Sequence, residues 1–125
     1  MSIVTWPSAQ ALEPTSHNVK VALKHLLRAW GSKSRLAAAL KVDPADLVAW
    51  ESGNSKPGTK DGRLIVHTHV VLEQAEKIWK SNVAVDWLLG NNSYLDGVRP
   101  IDSIRVKGLR DVKGAVESEA AGNFS

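Results

Sequence analysis

Residues 87–102 read Trp87-Leu88-Leu89-Gly90-Asn91-Asn92-Ser93-Tyr94-Leu95-Asp96-Gly97-Val98-Arg99-Pro100-Ile101-Asp102, and this stretch decides the fold. Residues 90–93 tolerate turn or left-handed geometry, so they can end a short helix that carries Trp87. Pro100 fits the first position of a helix because its missing N–H would be unpaired there anyway. The stretch therefore predicts a short helix, a polar turn and the start of a new helix.

A last helix is predicted after Gly108, where the chain can bend. It carries one apolar stripe with helical spacing, formed by Leu109, Val112, Val116 and Ala120. The next residues are Gly122-Asn123-Phe124-Ser125, and we expect Gly122 to let the chain leave the helix. Taken one at a time, these pieces also describe a small helical hairpin with ordinary caps.

The order of the pieces resembles the toxin-binding domain of the Xre/MbcA/ParS antitoxins. The pattern of that family is Trp-Leu, a short gap, Asn, Leu, Gly, Pro-Leu-Asp, and then a Gly-led helix that ends in Gly and an apolar residue. This chain resembles it through Trp87-Leu88, Pro100-Ile101-Asp102, Gly108 and Gly122-Asn123-Phe124. Family members neutralise RES-domain toxins, which consume or transfer parts of NAD. The resemblance therefore implies an inhibitor of a cognate RES-domain toxin rather than an enzyme.

The resemblance also implies which residues contact the toxin, because the last helix and the C-terminus would approach its NAD pocket. The expected toxin-binding residues are Asn91, Leu95, Arg99, Arg110, Lys113, Gly122, Asn123, Phe124 and Ser125. An aromatic anchor such as Phe124 contributes about 2 kcal/mol or more when it is a hot spot. The cations can steer an acidic toxin surface. We expect the tail to fray in the isolated chain and to order only with a partner.

The first half of the chain predicts a helix-turn-helix. Thr15 or Ser16 can cap a first amphipathic helix that ends at Gly31, and Ser32 or Ser34 can cap a second one. Asp43 and Pro44 then start a third helix. Residues 35–53 are similar to the Xre-type repressor pattern. Lys41 replaces the turn glycine that is usual there, so we expect strain or a different turn.

The predicted fold class is all-α, with an N-terminal Xre-like helix-turn-helix bundle and a C-terminal helical toxin-binding domain. Residues 1–14 are interpreted as an arm that can be mobile, residues 15–53 as the helix-turn-helix region, residues 54–62 as a linker and residues 63–125 as the toxin-binding domain. Residues 64–71 are rich enough in β-branched side chains to suggest a strand. A helix over residues 63–79 is favoured because the pattern continues beyond them.

The predicted third helix is poorly suited to read DNA bases, because it offers Asp43, Asp46 and Glu51 instead of the usual donors. Phosphate contacts are expected at Lys33, Ser34, Arg35, Lys56 and Lys60. Operator DNA is therefore a second expected partner. The helix-turn-helix would otherwise serve as a scaffold or dimerisation unit. The resemblance to the antitoxin family implies a homodimer or a hetero-oligomer with the toxin.

No catalytic, metal or cofactor site is predicted. His67 and His69 point about 200° apart on a helix and cannot chelate one ion, so we interpret both as polar residues on an exposed face. Residues Gly31-Ser32-Lys33-Ser34 lack the glycine that a phosphate loop needs before its lysine. The chain has no cysteine, which excludes disulfides, thiolate metal sites and a cysteine nucleophile.

The bulk composition fits a small globular protein. Its 125 residues include 43% apolar and 23% charged side chains, and the net charge is +3. No apolar run is long enough to span a membrane and no secretory signal is apparent, so we expect a cytoplasmic protein. Two other functions stay open. One is a stand-alone helix-turn-helix regulator without a toxin, and the other is an adaptor for a different partner. The acidic third helix favours the antitoxin.

Overall fold

The computed structural model describes residues 3–124 of the chain, and the side chains of residues 3–122. The α-helices in this part are α1 (Ser16–Trp30), α2 (Lys33–Leu40), α3 (Pro44–Ser52), α4 (Thr59–Ala75), α5 (Ser81–Leu89), α6 (Pro100–Lys107) and α7 (Val112–Phe124). Short 3-10 helices occupy Ala9–Leu12 and Ser93–Leu95. No strand occurs in residues 3–124, which confirms the all-α class.

Local sequence signals explain where the first helices begin. The side chains of Thr15, Ser32 and Asp43 accept hydrogen bonds from backbone N–H groups in the first turns of α1, α2 and α3, as predicted. Such caps satisfy donors that have no partner within the helix. Pro44 and Pro100 begin α3 and α6, also as predicted. The starts of α1, α2, α3 and α6 are therefore specified by single residues.

The turn between α2 and α3 is unusual because Lys41 adopts left-handed geometry, with φ 59° and ψ 46°. A non-glycine residue in this region costs about 1–2 kcal/mol. The Val42 backbone N–H donates to the Ala37 carbonyl oxygen at 3.0 Å and closes the turn. The strain expected from a lysine at this position is therefore present.

The start of α4 corrects the predicted linker. Residues 59–62 form the first turn of α4, so only residues 54–58 connect α3 to it. Gly62 is buried, and a Cβ atom at this position would lie 3.0 Å from the Cβ of Pro14. Because residue 62 is a glycine, the backbone of α4 can pack closely against Pro14. The helix also ends at Ala75, four residues before the predicted end at Trp79.

Helix α4 lies between the two halves of the molecule and packs against α1, α5, α6 and α7. One continuous hydrophobic core includes buried side chains from both halves, among them Leu26, Leu47, Ile65, Leu88 and Ile101. Residues 1–14, predicted as an arm, contribute to it: Val4 is buried and Trp6 packs against the core. Within the described residues, no helix is both long and apolar enough to cross a membrane.

Candidate functional site

A groove between the Ser93–Leu95 turn, α6 and α7 is the main candidate site; we call it the α6–α7 groove. Its volume is about 520 Å³. The residues that carry the argument are Tyr94, Val98, Asp102, Val106, Arg110 and Gly114. Its floor and rim mix apolar and charged groups, which is the composition of a surface that binds another molecule.

Three large hydrophobic side chains in the groove are exposed. Tyr94 is 58% exposed, Val98 44% and Val106 78%. Scattered exposed hydrophobic residues are normal, but a cluster of them in one groove marks an interaction surface. The composition of the α6–α7 groove therefore favours a binding site over an ordinary solvated face.

A tight turn holds Tyr94 in position. The Asn92 side chain accepts from the Leu95 N–H at 3.3 Å, and the Gly97 N–H donates to the Asn92 carbonyl oxygen at 2.8 Å. Asp96 and Gly97 both have positive φ, 57° and 86°, which reverses the chain within a few residues. Buried Leu95 anchors the turn in the protein. Tyr94 is thereby fixed on the outer side.

Gly114 of α7 makes room for the Tyr94 ring. A Cβ atom at residue 114 would lie 3.0 Å from the Cζ atom of Tyr94 and closer still to its hydroxyl oxygen. Real Cβ atoms avoid such distances, so any larger residue would push the ring away. Gly114 therefore sets the shape of the groove, although glycine weakens the interior of a helix.

An ion-pair network forms one rim of the groove. Arg99 donates to Asp102 through Nε at 2.7 Å and Nη2 at 3.2 Å. Arg105 donates to the same carboxylate through Nη1, and through Nη2 to the Ala39 carbonyl oxygen at 2.8 Å. The hydrogen bonds from Arg99 lower the pKa of Asp102 below its ordinary 3.8. The network also ties α6 to the end of α2.

The structure places the predicted toxin-binding residues in different surroundings. Leu95 and Arg110 line the groove, but Leu95 is buried. Arg99 is held at the rim by Asp102, and Asn91 is exposed next to the turn. Lys113 instead lies over the Trp6 ring, 5.5 Å from its centroid. Some predicted residues therefore lie at this groove, whereas the exposed apolar residues of the groove were not among those predicted.

The end of α7 corrects a second expectation. Gly122 was predicted to let the chain leave the helix, but α7 continues through it to Phe124. Gly122 is exposed, and a Cβ atom there would meet nothing within 4 Å. The side chains of Asn123 and Phe124, and all of Ser125, lie outside the described residues. Their predicted toxin contacts stay predictions.

Tyr94, Val98 and Val106 were missed because none of them follows a helical stripe. Val106 is exposed on α6, and the other two belong to the turn that precedes this helix. The signal that could have found them is apolar residues at positions where a solvated turn or helix face favours polar ones. Tyr94 in the polar run 90–97 was the most visible case.

The predicted DNA-binding residues lie at the start of α2 and around the start of α4. Lys33, Ser34 and Arg35 are exposed at the start of α2, and Lys33 Nζ lies 3.5 Å from Glu51 Oε1. Lys56 precedes α4, and Lys60 belongs to its first turn. Asp46 and Glu51 of α3 are exposed, and so is Asp43, which caps this helix. This exposed acidic surface is unfavourable for phosphates.

Two histidines correct the expectation of an exposed polar face. His69 is mostly buried, and its Nδ1 atom lies 2.8 Å from Nδ1 of His25. His25 Nε2 is 2.6 Å from Glu76 Oε1, and His69 Nε2 is 3.3 Å from Glu73 Oε1. Burial lowers the pKa of His69. This chain of polar groups joins α1 to α4, and no cluster in the described part of the protein has the donors to hold a metal ion.

The fold and the groove define a class: small, all-helical proteins with an open and partly apolar surface for a partner. The sequence makes the relationship more specific. Over 89 residues the chain is 30% identical to the "Probable mycobacterial cidal antitoxin Rv3188" of Mycobacterium tuberculosis (strain ATCC 25618 / H37Rv), a match that covers 71% of this chain and 76% of the relative. The chain belongs to the family of that antitoxin.

Two further comparisons give no match. Neither the known protein-family profiles nor the solved structures include one that matches this chain.

Proposed function

We propose that this protein is the antitoxin of a type II toxin–antitoxin system and that it binds and blocks a RES-domain, NAD-consuming toxin. The similarity to a probable antitoxin supports the toxin–antitoxin role. The RES-domain partner rests on the resemblance of residues 87–124 to the Xre/MbcA/ParS pattern. The protein acts in the cytoplasm as a binding partner rather than an enzyme, as a homodimer or in a hetero-oligomer with the toxin.

The observation that carries this proposal is the exposed apolar cluster of Tyr94, Val98 and Val106 in the α6–α7 groove. Burying such side chains contributes about 25 cal/mol for each Å² removed from water. Tyrosine is also enriched among residues that dominate binding energies. We infer that the toxin covers this groove, while the last residues of α7 and the tail reach its NAD pocket.

Charge supports the same orientation. Arg110 is exposed at the groove, and its nearest anionic partner, Asp111 Oδ1, lies 3.3 Å away at the surface. Surface ion pairs of this kind are weak, so Arg110 can exchange Asp111 for a carboxylate of the toxin. Such rim charges change association rates more than affinities.

Autoregulation through operator DNA is the second part of the proposal. The turn between α2 and α3 and the cap of Asp43 are compatible with a helix-turn-helix. The exposed carboxylates of α3 make it a poor reader of bases by itself. A stand-alone regulator without a toxin is for the same reason the less favoured function.

The test is co-purification with the product of the adjacent toxin gene, followed by an assay of NAD consumption. We expect a stable complex in which NAD loss stops. The variant Tyr94→Ala/Val106→Ser should lose at least ten-fold in affinity for the toxin, which corresponds to about 1.4 kcal/mol. Removing residues 122–125 should leave the fold intact and weaken protection.

Val48→Ser is the matched control, because Val48 is a valine on α3 that is 46% exposed and lies outside the groove. It should bind and protect like the unchanged protein. If the groove variant protects as well as the control, the toxin does not use this groove. If no complex forms and NAD loss continues, the RES-toxin assignment is wrong.

A further inference from the structure

A second groove lies between the start of α4 and the end of α6, and we call it the basic groove. Its volume is about 350 Å³. Its charged and titratable lining consists of Lys60, Arg63, His67, Arg105 and Lys107. Lys60, Arg63 and His67 follow helical spacing on α4, so they share one face of that helix. No carboxylate belongs to this lining within residues 3–124.

The two α4 cations of the basic groove are not neutralised. Arg105 is paired with Asp102, and Lys107 Nζ lies 3.0 Å from Asp111 Oδ2. Lys60 and Arg63 form no ion pair with any group of residues 3–124. Asp61 lies in the same first turn of α4 but does not belong to the lining. Two positive charges without an ion pair therefore line the groove, which is favourable for an incoming anion.

The positive potential reaches the bottom of the groove. The pKa of His67 is lowered first by burial and then by the charge of Arg63. His67 Nδ1 is buried without a hydrogen-bond partner within the described residues, next to Gly108. The effect of Arg63 on the pKa of His67 places this cation close to the imidazole in the lining of the groove.

The start of α4 adds to this potential. No side chain caps the helix at Gly58, so the backbone N–H groups of its first turn accept no help from a capping side chain and can donate to a bound anion. The N-terminal end of a long helix carries about half a positive charge. Lys60 lies in this first turn, and Lys56 precedes it in the sequence. The cations thus extend from the basic groove along the chain toward α3.

We propose that the basic groove binds the phosphate backbone of double-stranded DNA without regard to sequence. A nucleic acid is favoured over a single small anion because the cations form an extended series rather than one enclosed pocket. The groove also provides the phosphate contacts that the acidic α3 lacks. The basic groove shares Val106 and Lys107 with the α6–α7 groove, but Lys60, Arg63 and His67 belong to its lining alone. This inference therefore rests on α4 residues that the proposed toxin site does not use.

The test measures binding of the full chain to a short fluorescent duplex of random sequence, by anisotropy at several salt concentrations. Lys60→Gln/Arg63→Gln is the test variant. Lys24→Gln/Arg28→Gln is the matched control, since it removes the same charge from exposed positions of α1. The test variant should bind about ten-fold more weakly at low salt, and its slope of log K against log salt should fall by about 1.8.

The control variant should keep most of the affinity and slope of the unchanged chain. A test variant that binds as well as the unchanged chain overturns the proposal, and so does a chain that shows no binding to the duplex at low salt. A loss confined to the control variant moves the phosphate contacts to α1 and also overturns it. Inorganic phosphate that competes as well as DNA at equal phosphate concentration shows a small-anion site instead. Toxin protection by the test variant, measured in parallel, separates this inference from the proposed antitoxin function.

Discussion

The α2–α3 pair and the α6–α7 pair are built alike but expose different chemistry. Each consists of two short helices joined by a brief connection that contains a residue of positive φ, Lys41 in one and Gly108 in the other. The exposed charged residues of α3, Asp46 and Glu51, are both acidic, and Val48 is its exposed large hydrophobic side chain. The second pair, with the turn before it, exposes an aromatic and two valines in a groove. Backbone geometry thus follows from caps and turns, whereas binding follows from what stays exposed.

The largest expected effect concerns the shared core, because the two helix pairs are comparable only if they unfold together. Leu47 of α3 and Ile101 of α6 are both buried in the same core. Leu47→Ala and Ile101→Ala should each lower the free energy of unfolding by about 2–5 kcal/mol. Chemical unfolding followed by tryptophan fluorescence and by circular dichroism should give one coincident transition in both variants. Two separate transitions would show that the halves fold independently.

A change at Gly114 should alter toxin binding through the second pair without lowering the stability of the fold. Alanine is about 1 kcal/mol better than glycine inside a helix, and Gly114→Ala displaces the Tyr94 ring. The melting temperature should stay the same or rise, while affinity for the toxin falls at least ten-fold, about 1.4 kcal/mol.

Ser118→Ala, at an exposed position of the same helix, is the control and should change neither quantity. Unchanged toxin binding by Gly114→Ala would mean that the position of Tyr94 does not matter.

Asp102→Asn tests how much the ion-pair network at the rim of the α6–α7 groove stabilises the fold. The change removes the carboxylate that holds Arg99 and Arg105, and we expect a loss of about 1 kcal/mol because the group is partly exposed. The pKa of Asp102 is lowered in the fold, so its contribution is present above 3.8 and lost as pH falls through lower values. Unfolding at several pH values should show a flatter acid limb in the variant. An identical acid limb would contradict this assignment.

The smallest expected effect concerns the histidines between α1 and α4, outside both pairs. The pKa of His69 lies below its ordinary 6.5 because burial disfavours the charged form. The unfolded chain therefore binds more protons just below pH 6.5, so stability is present above that value and falls as the pH drops. His69→Gln should reduce this slope in thermal melts across the range. If the dependence of the melting temperature on pH is the same in His69→Gln, groups other than His69 control it.

Much of the fold was predictable because its signals are local. The caps Thr15, Ser32 and Asp43, the start of α6 at Pro100 and the stripe of α7 each depend on residues that are close in sequence. Helix propensity and capping act over a few residues, so a sequence shows them directly. The toxin-binding assignment of individual residues stays a prediction.

What was missed depends on contacts between distant residues. His25 and His69 are 44 positions apart, and no periodic pattern places their rings together. Helix α4 begins inside the predicted linker, and there Gly62 packs against Pro14, a residue of the predicted arm. The Tyr94 ring likewise depends on a glycine in another helix. Such pairings appear only once the chain is folded.

Tyr94 gives the molecule a built-in spectroscopic reporter. It is the single tyrosine of the chain, so incorporation of fluorinated tyrosine would produce one fluorine resonance. Because its hydroxyl lies over Gly114 and its ring is open to solvent, that resonance would shift when a molecule fills the groove and stay still when DNA binds elsewhere. One signal could thus distinguish in a mixture, without purification of any complex, which of the two surfaces is occupied.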